Sequence, residues 1–207
     1  MAQIGSSEIV GLATAPLQKG LTVDLRDLEV REPLDLAGMD LANVDFSGTR
    51  FAGPVTFRGA RFGGLSWFKA CIFSGPADFS RATFCNDLRL ERARFERPVT
   101  FSRCELHGVT GLDGVTFDDR ADLDGLVAFG NVSMAATRFK APVTLQGCEF
   151  LGGLWCEDAQ FDQRADFRGV EVHGRTWLRR ALLSGADATG AARSSLQDIQ
   201  SYGYRWL

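Results

Sequence analysis

Large apolar residues recur along most of this chain at intervals of five or six positions. The interval is five from Leu36 to Phe51, and from Phe51 to Leu183 intervals of six and five alternate, which gives a period of 11. These central positions hold 15 of the 16 phenylalanines, and the exception, Phe129, follows the small Ala128. The residue two positions earlier is usually small or β-branched, and glycine is common two positions later. The pattern predicts a repeated structural unit over residues 36–183.

This period excludes the two common regular structures. An α-helix turns every 3.6 residues and a flat strand alternates every two, so neither brings residues five and six apart to one side. The pattern instead predicts a four-sided coil, in which each short side points one large and one small residue inward. Successive coils would stack at the strand spacing of about 4.8 Å. We expect two core columns: Phe51, Phe73, Phe95, Phe117, Phe139, Phe161 and Phe57, Phe79, Phe101, Leu123, Leu145, Phe167.

These units of a small, a polar, a large apolar and two hydrophilic residues resemble the pentapeptide-repeat family. The resemblance covers about 150 residues and implies an all-β protein, a right-handed quadrilateral parallel β-helix. One residue is added after every second unit, which makes 22 residues per coil and about six complete coils. We expect the added residues at two opposite corners, one of which carries Pro54, Pro76, Pro98 and Pro142.

The chain divides into three segments around this repeat. Residues 1–33 are predicted to be an N-terminal cap with a strand near Val23 to Val30, and residues 34–183 form the β-helix. Residues 184–207 are predicted to be a linker and a short C-terminal helix, because Leu196, Ile199 and Tyr202 follow helical spacing after Ser195. This end would either cap the last coil or join two chains. The resemblance to gyrase-protecting proteins favours a homodimer, formed by Leu196, Ile199, Tyr202 and Trp206.

The composition of the chain argues against several classes of function. The formal charge of -3 and the absence of a run of like charges argue against direct binding of nucleic acid. No basic n-region and no apolar run of membrane-spanning length is present, so we expect no membrane partner and a cytoplasmic protein. Five cysteines without paired spacing indicate reduced thiols. We expect no enzyme, no catalytic residues, no cofactor and no metal site.

Two sets of side chains are weighed for chemistry or binding. Cys71, Cys104, Cys148 and Cys156 take inward positions on separate coils and read as buried free thiols. Cys85 and His107 should be neighbours at a corner, where a small-ligand site or a nucleophile and its base is an alternative, although no third orienting group is evident.

Trp67, Trp155 and Trp177 each precede a central residue of the same side, so they point outward. They form an alternative binding strip for a general protein-interaction scaffold, or they lie flat over backbone near the corners.

Acidic residues form two outward columns. One column contains Glu91, Asp113 and Glu157, and the next contains Glu96, Asp118 and Asp162. The family resemblance implies that such rows imitate DNA phosphates, so that the protein binds DNA gyrase or topoisomerase IV and relieves antibiotic inhibition. Arginines interrupt the rows, and a mixed, solvated surface is the competing interpretation. The leading hypothesis is therefore a non-enzymatic modulator of a type II topoisomerase.

Overall fold

The computed structural model describes residues 1–16, 20–183 and 198–206. Over these ranges the chain winds into about eight coils of about 22 residues, and each coil has four sides built from very short strands. Each strand pairs in parallel with the equivalent strand of the next coil, so that every side becomes a parallel sheet. The predicted all-β parallel β-helix is confirmed. It has more coils than the six expected because segments outside the regular repeat add strands at both ends.

We number the four sheets as faces 1 to 4, in the order in which each coil visits them. Face 1 consists of Val23–Asp24, Val44–Asp45, Ser66–Trp67, Leu88–Arg89, Thr110–Gly111, Val132–Ser133, Leu154–Trp155, Thr176–Trp177 and Arg205–Trp206. Face 2 consists of Ala2–Gln3, Leu28–Val30, Arg50–Phe51, Ile72–Phe73, Arg94–Phe95, Thr116–Phe117, Arg138–Phe139, Gln160–Phe161 and Leu182–Leu183. Face 3 consists of Leu34–Asp35, Val55–Thr56, Ala77–Asp78, Val99–Thr100, Ala121–Asp122, Val143–Thr144 and Ala165–Asp166. Face 4 consists of Asp40–Leu41, Arg61–Phe62, Thr83–Phe84, Glu105–Leu106, Val127–Ala128, Glu149–Phe150, Glu171–Val172 and Gln200–Ser201.

The core consists of the stacked columns that the spacing predicts. Rings of the column from Phe51 to Phe161 lie 4.5 to 5.2 Å apart, centroid to centroid, and are nearly parallel. All central positions are buried except Leu183, which is partly buried at the last coil. Because every coil repeats the same register, a phenylalanine always meets the residue of the same position in the next coil. The predicted core is confirmed.

The corners are of two kinds. Between faces 1 and 2, and between faces 3 and 4, the chain turns through a residue of positive φ, such as Gly48 at 75° or Arg92 at 61°. The other two corners contain the added residue, as predicted. Prolines recur at the corner between faces 2 and 3, whereas glycines recur between faces 4 and 1. There a Cβ on Gly130 would overlap the carbonyl of Gly108 on the coil below, so the two backbones can approach only as glycines.

A helix covers the N-terminal end of the stack. Helix α1 (Ser6–Ala13) buries Ile9 and Ala13 in the core. The Ala42 amide donates a hydrogen bond of 2.9 Å to the Ala13 carbonyl, which ties the helix to the next coil. Strands form within Val23 to Val30, although the boundary of a cap at residue 33 stays a prediction. Among the described residues no helix has the length and apolar character that crossing a membrane requires.

The C-terminal end differs from the prediction of a short helix. Residues 198–206 hold the strands Gln200–Ser201 and Arg205–Trp206, which extend faces 4 and 1. The register here is 29 residues, because Val172 pairs with Ser201. A solenoid end exposes a row of unpaired backbone groups, and pairing with it satisfies more of them than an isolated short helix would. Leu196 lies outside the described residues, and Ile199 is 2% exposed within the core of its own chain.

Candidate functional site

The structure places the six predicted acidic residues in two columns that flank face 2, one at the corner between faces 1 and 2 and the other at the corner between faces 2 and 3. The residues of each column lie on successive or alternate coils, directly after the central residue of their side. The sequence therefore located these carboxylates correctly. What they contact decides whether they present free negative charge.

The first column is largely neutralised. Arg89 Nε and Nη2 each lie 2.6 Å from Glu91 Oε1, and Glu157 Oε1 accepts a hydrogen bond of 2.9 Å from Arg180 Nη2. Asp113 accepts a hydrogen bond from the Ser133 hydroxyl and one from a backbone amide. Each carboxylate of this column thus has a hydrogen-bond donor on its own chain.

The second column is paired across coils. Asp118 contacts Arg94 Nε at 2.5 Å and Lys140 Nζ at 2.8 Å. Partial burial opposes ionisation of Asp118, but the hydrogen bonds from Lys140 and Arg94 outweigh it and hold the pKa of Asp118 below its usual value. Asp162 accepts a hydrogen bond of 2.8 Å from Arg138 Nε.

The remaining carboxylate of this column is that of Glu96. Its Oε2 accepts a hydrogen bond of 2.7 Å from the Ser74 hydroxyl and lies 3.7 Å from Arg50 Nη2. Five of the six carboxylates therefore have a cation within ion-pair distance, and the sixth is hydrogen-bonded. Paired charges of opposite sign produce a weak field beyond about one Debye length of roughly 8 to 10 Å. The columns form a mixed ion-pair surface.

The predicted tryptophan strip is divided by the structure. Trp67 is half-buried, with the Lys69 ammonium 5.9 Å from its ring centroid. Trp155 pairs in register with Trp177 on the next coil, and Trp177 pairs with Trp206 on the one after. The ring of Trp155 lies over Gly153, as expected for an aromatic that covers corner backbone. Three of the four tryptophans therefore cluster at the C-terminal end of face 1.

A larger exposed apolar surface lies beside this cluster, and the sequence analysis did not recognise it. We call it the aromatic ridge. It follows the corner between faces 4 and 1 and continues onto the last strand of face 1. Its members are Val109, Phe129, Leu151, Tyr202, Tyr204 and Trp206.

Stacking contacts organise the ridge. Phe129 is 46% exposed and stacks on His107 at 4.6 Å, while Tyr202 stacks on His173 at 4.9 Å. Tyr204 is 76% exposed, and its ring centroid is 5.9 Å from that of Trp206. The glycine corner holds these side chains on a rigid backbone. A signal was available in the sequence, because His107, Phe129, Leu151 and His173 are spaced by 22 residues.

The buried cysteines have structural roles. The thiols of Cys71, Cys104 and Cys148 donate hydrogen bonds to the carbonyls of core residues, as the Thr137 hydroxyl does at an equivalent position. Burial raises the pKa of Cys104, Cys148 and Cys156 to about 12, so these thiols stay protonated at neutral pH.

The alternative site at Cys85 and His107 lacks a catalytic contact. The His107 ring stacks on Phe129, and its Nε2 lies 3.5 Å from Glu105 Oε2. Within the described part of the chain, no hydrogen bond joins the Cys85 thiol to His107. This arrangement does not assemble a nucleophile with its base.

One cluster has the composition of a metal site. Glu149, Glu171 and His173 each place one ligand atom within 4.8 Å of the others. All three side chains are on face 4 or the corner that follows it.

Sequence comparison agrees with this architecture. A profile described as Pentapeptide repeats (9 copies) matches residues 36–83, 57–105 and 127–171, which together cover more than half of the chain. A search of curated proteins finds no match. The central side chains of the matched residues belong to the stacked core. The chain therefore belongs to the pentapeptide-repeat family.

Proposed function

We propose that this protein is a non-enzymatic interaction scaffold that binds a partner protein through the aromatic ridge. Pentapeptide-repeat proteins typically act as protein-interaction scaffolds. The observation that carries the proposal is the distribution of exposed apolar side chains. Ten large hydrophobic residues are exposed in the described part of the chain, and six of them lie on the ridge.

The chemistry of the ridge suits a protein partner. Tyrosine and tryptophan are enriched in interfaces because they combine a large apolar area with a polar group and lose little conformational entropy. The ridge spans about four coil steps, from Val109 to Tyr202, which is roughly 19 Å at the strand spacing. Its backbone is fixed on both sides by parallel sheets, so little ordering would be needed on binding.

A pull-down from a lysate of the source organism tests the proposal. The unmodified chain is compared with the double variant Phe129→Ser and Tyr204→Ser, and with the control Leu12→Ser. Leu12 is also exposed but lies on α1 at the opposite end. A partner retained by the unmodified chain and the control, and lost with the double variant, supports the ridge. Equal recovery of the same partner by all three proteins contradicts it.

A type II topoisomerase stays a candidate partner because the family resemblance implies it. The ion pairs in the acidic columns weaken DNA mimicry as the means of contact, since Arg94 and Lys140 compete for the charge of Asp118. A DNA-supercoiling assay with purified gyrase, with and without a fluoroquinolone, tests this candidate. Inhibition or drug relief that is lost in Glu96→Lys with Asp118→Lys supports the columns, and loss with the ridge variant instead assigns the contact to the ridge. No effect at high concentration excludes gyrase.

A second copy of this chain is the other candidate partner. Leu182, Trp206 and Ser201 lie in the last strands of their sheets, and Leu182 and Trp206 are exposed. A homodimer through this end would cover both apolar side chains. Light scattering coupled to gel filtration measures the mass directly. A dimer that becomes a monomer in Leu182→Ser with Trp206→Ser supports this arrangement, whereas a monomer at all concentrations rules it out.

A further inference from the structure

Face 4 carries two glutamates that stand directly opposite each other near the C-terminal end. Strands Glu149–Phe150 and Glu171–Val172 pair in parallel, with Glu149 opposite Glu171. His173 follows on the same coil and reaches both of them. Like charges in this position repel each other, so the pair is unfavourable unless a cation lies between them.

The distances are those of a metal-ligand set. His173 Nε2 lies 3.3 Å from Glu149 Oε1 and 3.6 Å from Glu171 Oε2. Zinc bonds to imidazole nitrogen and carboxylate oxygen are about 2.0 to 2.1 Å long, so two ligand atoms of a tetrahedral zinc ion lie about 3.3 to 3.4 Å apart. The two glutamate side chains are half-exposed, and all three ligand atoms lie within 4.8 Å of one another.

The charge environment differs from that of the acidic columns. There, arginine and lysine neutralise almost every carboxylate. The ion pairs of Glu149 and Glu171 within the described residues are both with His173. The two carboxylates and the imidazole nitrogen lie close together, so the cluster presents three ligand atoms for one cation.

Contacts behind the imidazole hold it in place. The Tyr202 ring stacks on His173 with an interplanar angle of 22°. Gln200 Nε2 donates a hydrogen bond of 2.7 Å to the Tyr202 hydroxyl, which fixes that ring in turn. Outer contacts of this kind orient a metal-binding histidine and raise its affinity.

We propose that Glu149, Glu171 and His173 bind one divalent transition-metal ion, with zinc as the best-fitting ion, and that water completes the coordination. Two carboxylates and one imidazole are ligands of the type that zinc accepts, and three protein ligands leave a coordination position open. The bound ion would join two successive coils. The site adjoins the aromatic ridge, because His173 stacks on Tyr202, but metal binding by these three side chains does not depend on the proposed partner interface.

The chain contains its own matched control. His107 and Glu105 repeat the same arrangement three coils earlier, with His107 Nε2 at 3.5 Å from Glu105 Oε2. The neighbouring face 4 positions are Thr83 and Val127, so the third ligand is missing. His107 and His173 are the two histidines of the sequence, which makes zinc binding assignable to one of them.

Isothermal titration of zinc chloride into the full chain tests the proposal. The protein is purified without a polyhistidine tag and treated with a chelator beforehand. We expect one zinc ion per chain with a micromolar dissociation constant. His173→Asn should weaken binding at least tenfold, Glu149→Gln should also weaken it, and His107→Asn should leave it unchanged. Circular dichroism checks that each variant keeps its strands.

Two outcomes overturn the proposal. One is an absence of zinc binding at millimolar concentration in the unmodified chain. The other is equal affinity in His173→Asn and the unmodified chain, which would assign the ion to a different site. Because Glu149→Gln retains the His173 ring and its stacking on Tyr202, an equal affinity in that variant would exclude Glu149 as a ligand and with it the proposed three-ligand site.

Discussion

Two aromatic ladders run along this molecule, one inside and one outside. The inner ladder, from Phe51 to Phe161, is buried on every coil, whereas Phe129 and Tyr202 on the ridge stack on histidines and stay exposed. Both ladders use the same coil spacing, and they differ only in whether the side chain points inward or outward. The comparison shows that one repeat can build the scaffold with its inward positions and present exposed aromatic side chains, the proposed partner site, with its outward ones.

We expect the largest loss of stability from a substitution in the inner ladder. Phe117 stacks between Phe95 at 5.2 Å and Phe139 at 4.6 Å. Phe117→Ala leaves a cavity that the rigid coils cannot fill, so we expect the free energy of unfolding to fall by about 3 to 5 kcal/mol. Urea unfolding followed by far-UV circular dichroism measures the change. A loss below about 1 kcal/mol would mean that the stacked column does not support the coils.

The next effect concerns the corner that supports the ridge. In Gly130→Ala the new methyl group meets the Gly108 carbonyl, so neighbouring coils must separate, at a cost of about 1 to 3 kcal/mol. Gly11→Ala is the control, because no atom lies near its added methyl and α1 should gain up to about 1 kcal/mol. Thermal unfolding should order the two variants on opposite sides of the unmodified chain. Equal unfolding temperatures of the two variants would mean that the corner can accommodate a methyl group at Gly130.

A smaller effect comes from surface charge, which belongs to neither ladder. Hydrogen bonds from Arg168 lower the pKa of Asp166 to about 2, against a smaller opposing effect of burial. The carboxylate of Asp166 therefore stabilises the fold above the unfolded pKa of about 4, and this contribution is lost as the pH falls from about 4 through 2. Because Arg168 is exposed, we expect only about 1 kcal/mol.

Unfolding by urea at pH 6 and at pH 2.5 measures this contribution as a difference. Asp166→Asn should reduce the difference relative to the unmodified chain, because the variant has no carboxylate for Arg168 to contact. An unchanged pH dependence in Asp166→Asn would exclude the Arg168 contact as its cause.

The smallest stability effect is expected on the outer ladder. Phe129→Ser removes an exposed ring, so the free energy of unfolding should change by less than about 0.5 kcal/mol. Partner recovery should nevertheless fall. A stability loss comparable to that of Phe117→Ala would show that Phe129 belongs to the scaffold, and the division between the two ladders would fail.

The inward positions could be predicted because they repeat. A column such as Phe51 to Phe161 follows from the spacing alone, since a single register satisfies all coils. The C-terminal strands could not be predicted in this way, because Ile199 and Tyr202 match helical spacing and the 29-residue step breaks the period. These strands form because their backbone pairs with the open edge of the last regular coil, and no pattern in the sequence marks that pairing.

The sequence predicted where the outward residues lie on the coils, but not which side chains they contact. Asp118 was located correctly, whereas its ion pairs were not predicted: Arg94 reaches it diagonally from the previous coil, and Lys140 lies at the same position of the next coil. Such contacts depend on side-chain conformation, which cannot be read from the spacing of residues in the sequence. The cluster of Glu149, Glu171 and His173 follows from the coil spacing, but it was not predicted because only the cysteines were considered as metal ligands.

The coil of 22 residues also makes the length of this protein adjustable in discrete steps. Ser66 pairs with Leu88 and Leu88 with Thr110, so removing residues 67–88 joins two coils in the register they already use. Such a deletion shortens the rod by about 4.8 Å and leaves every remaining column intact. A deletion whose length is not a multiple of the 11-residue period moves inward residues out of the core positions. Gene duplications and losses of whole coils are therefore the changes in length that this architecture tolerates. In evolution, the distance between α1 and the ridge can change in steps of one coil.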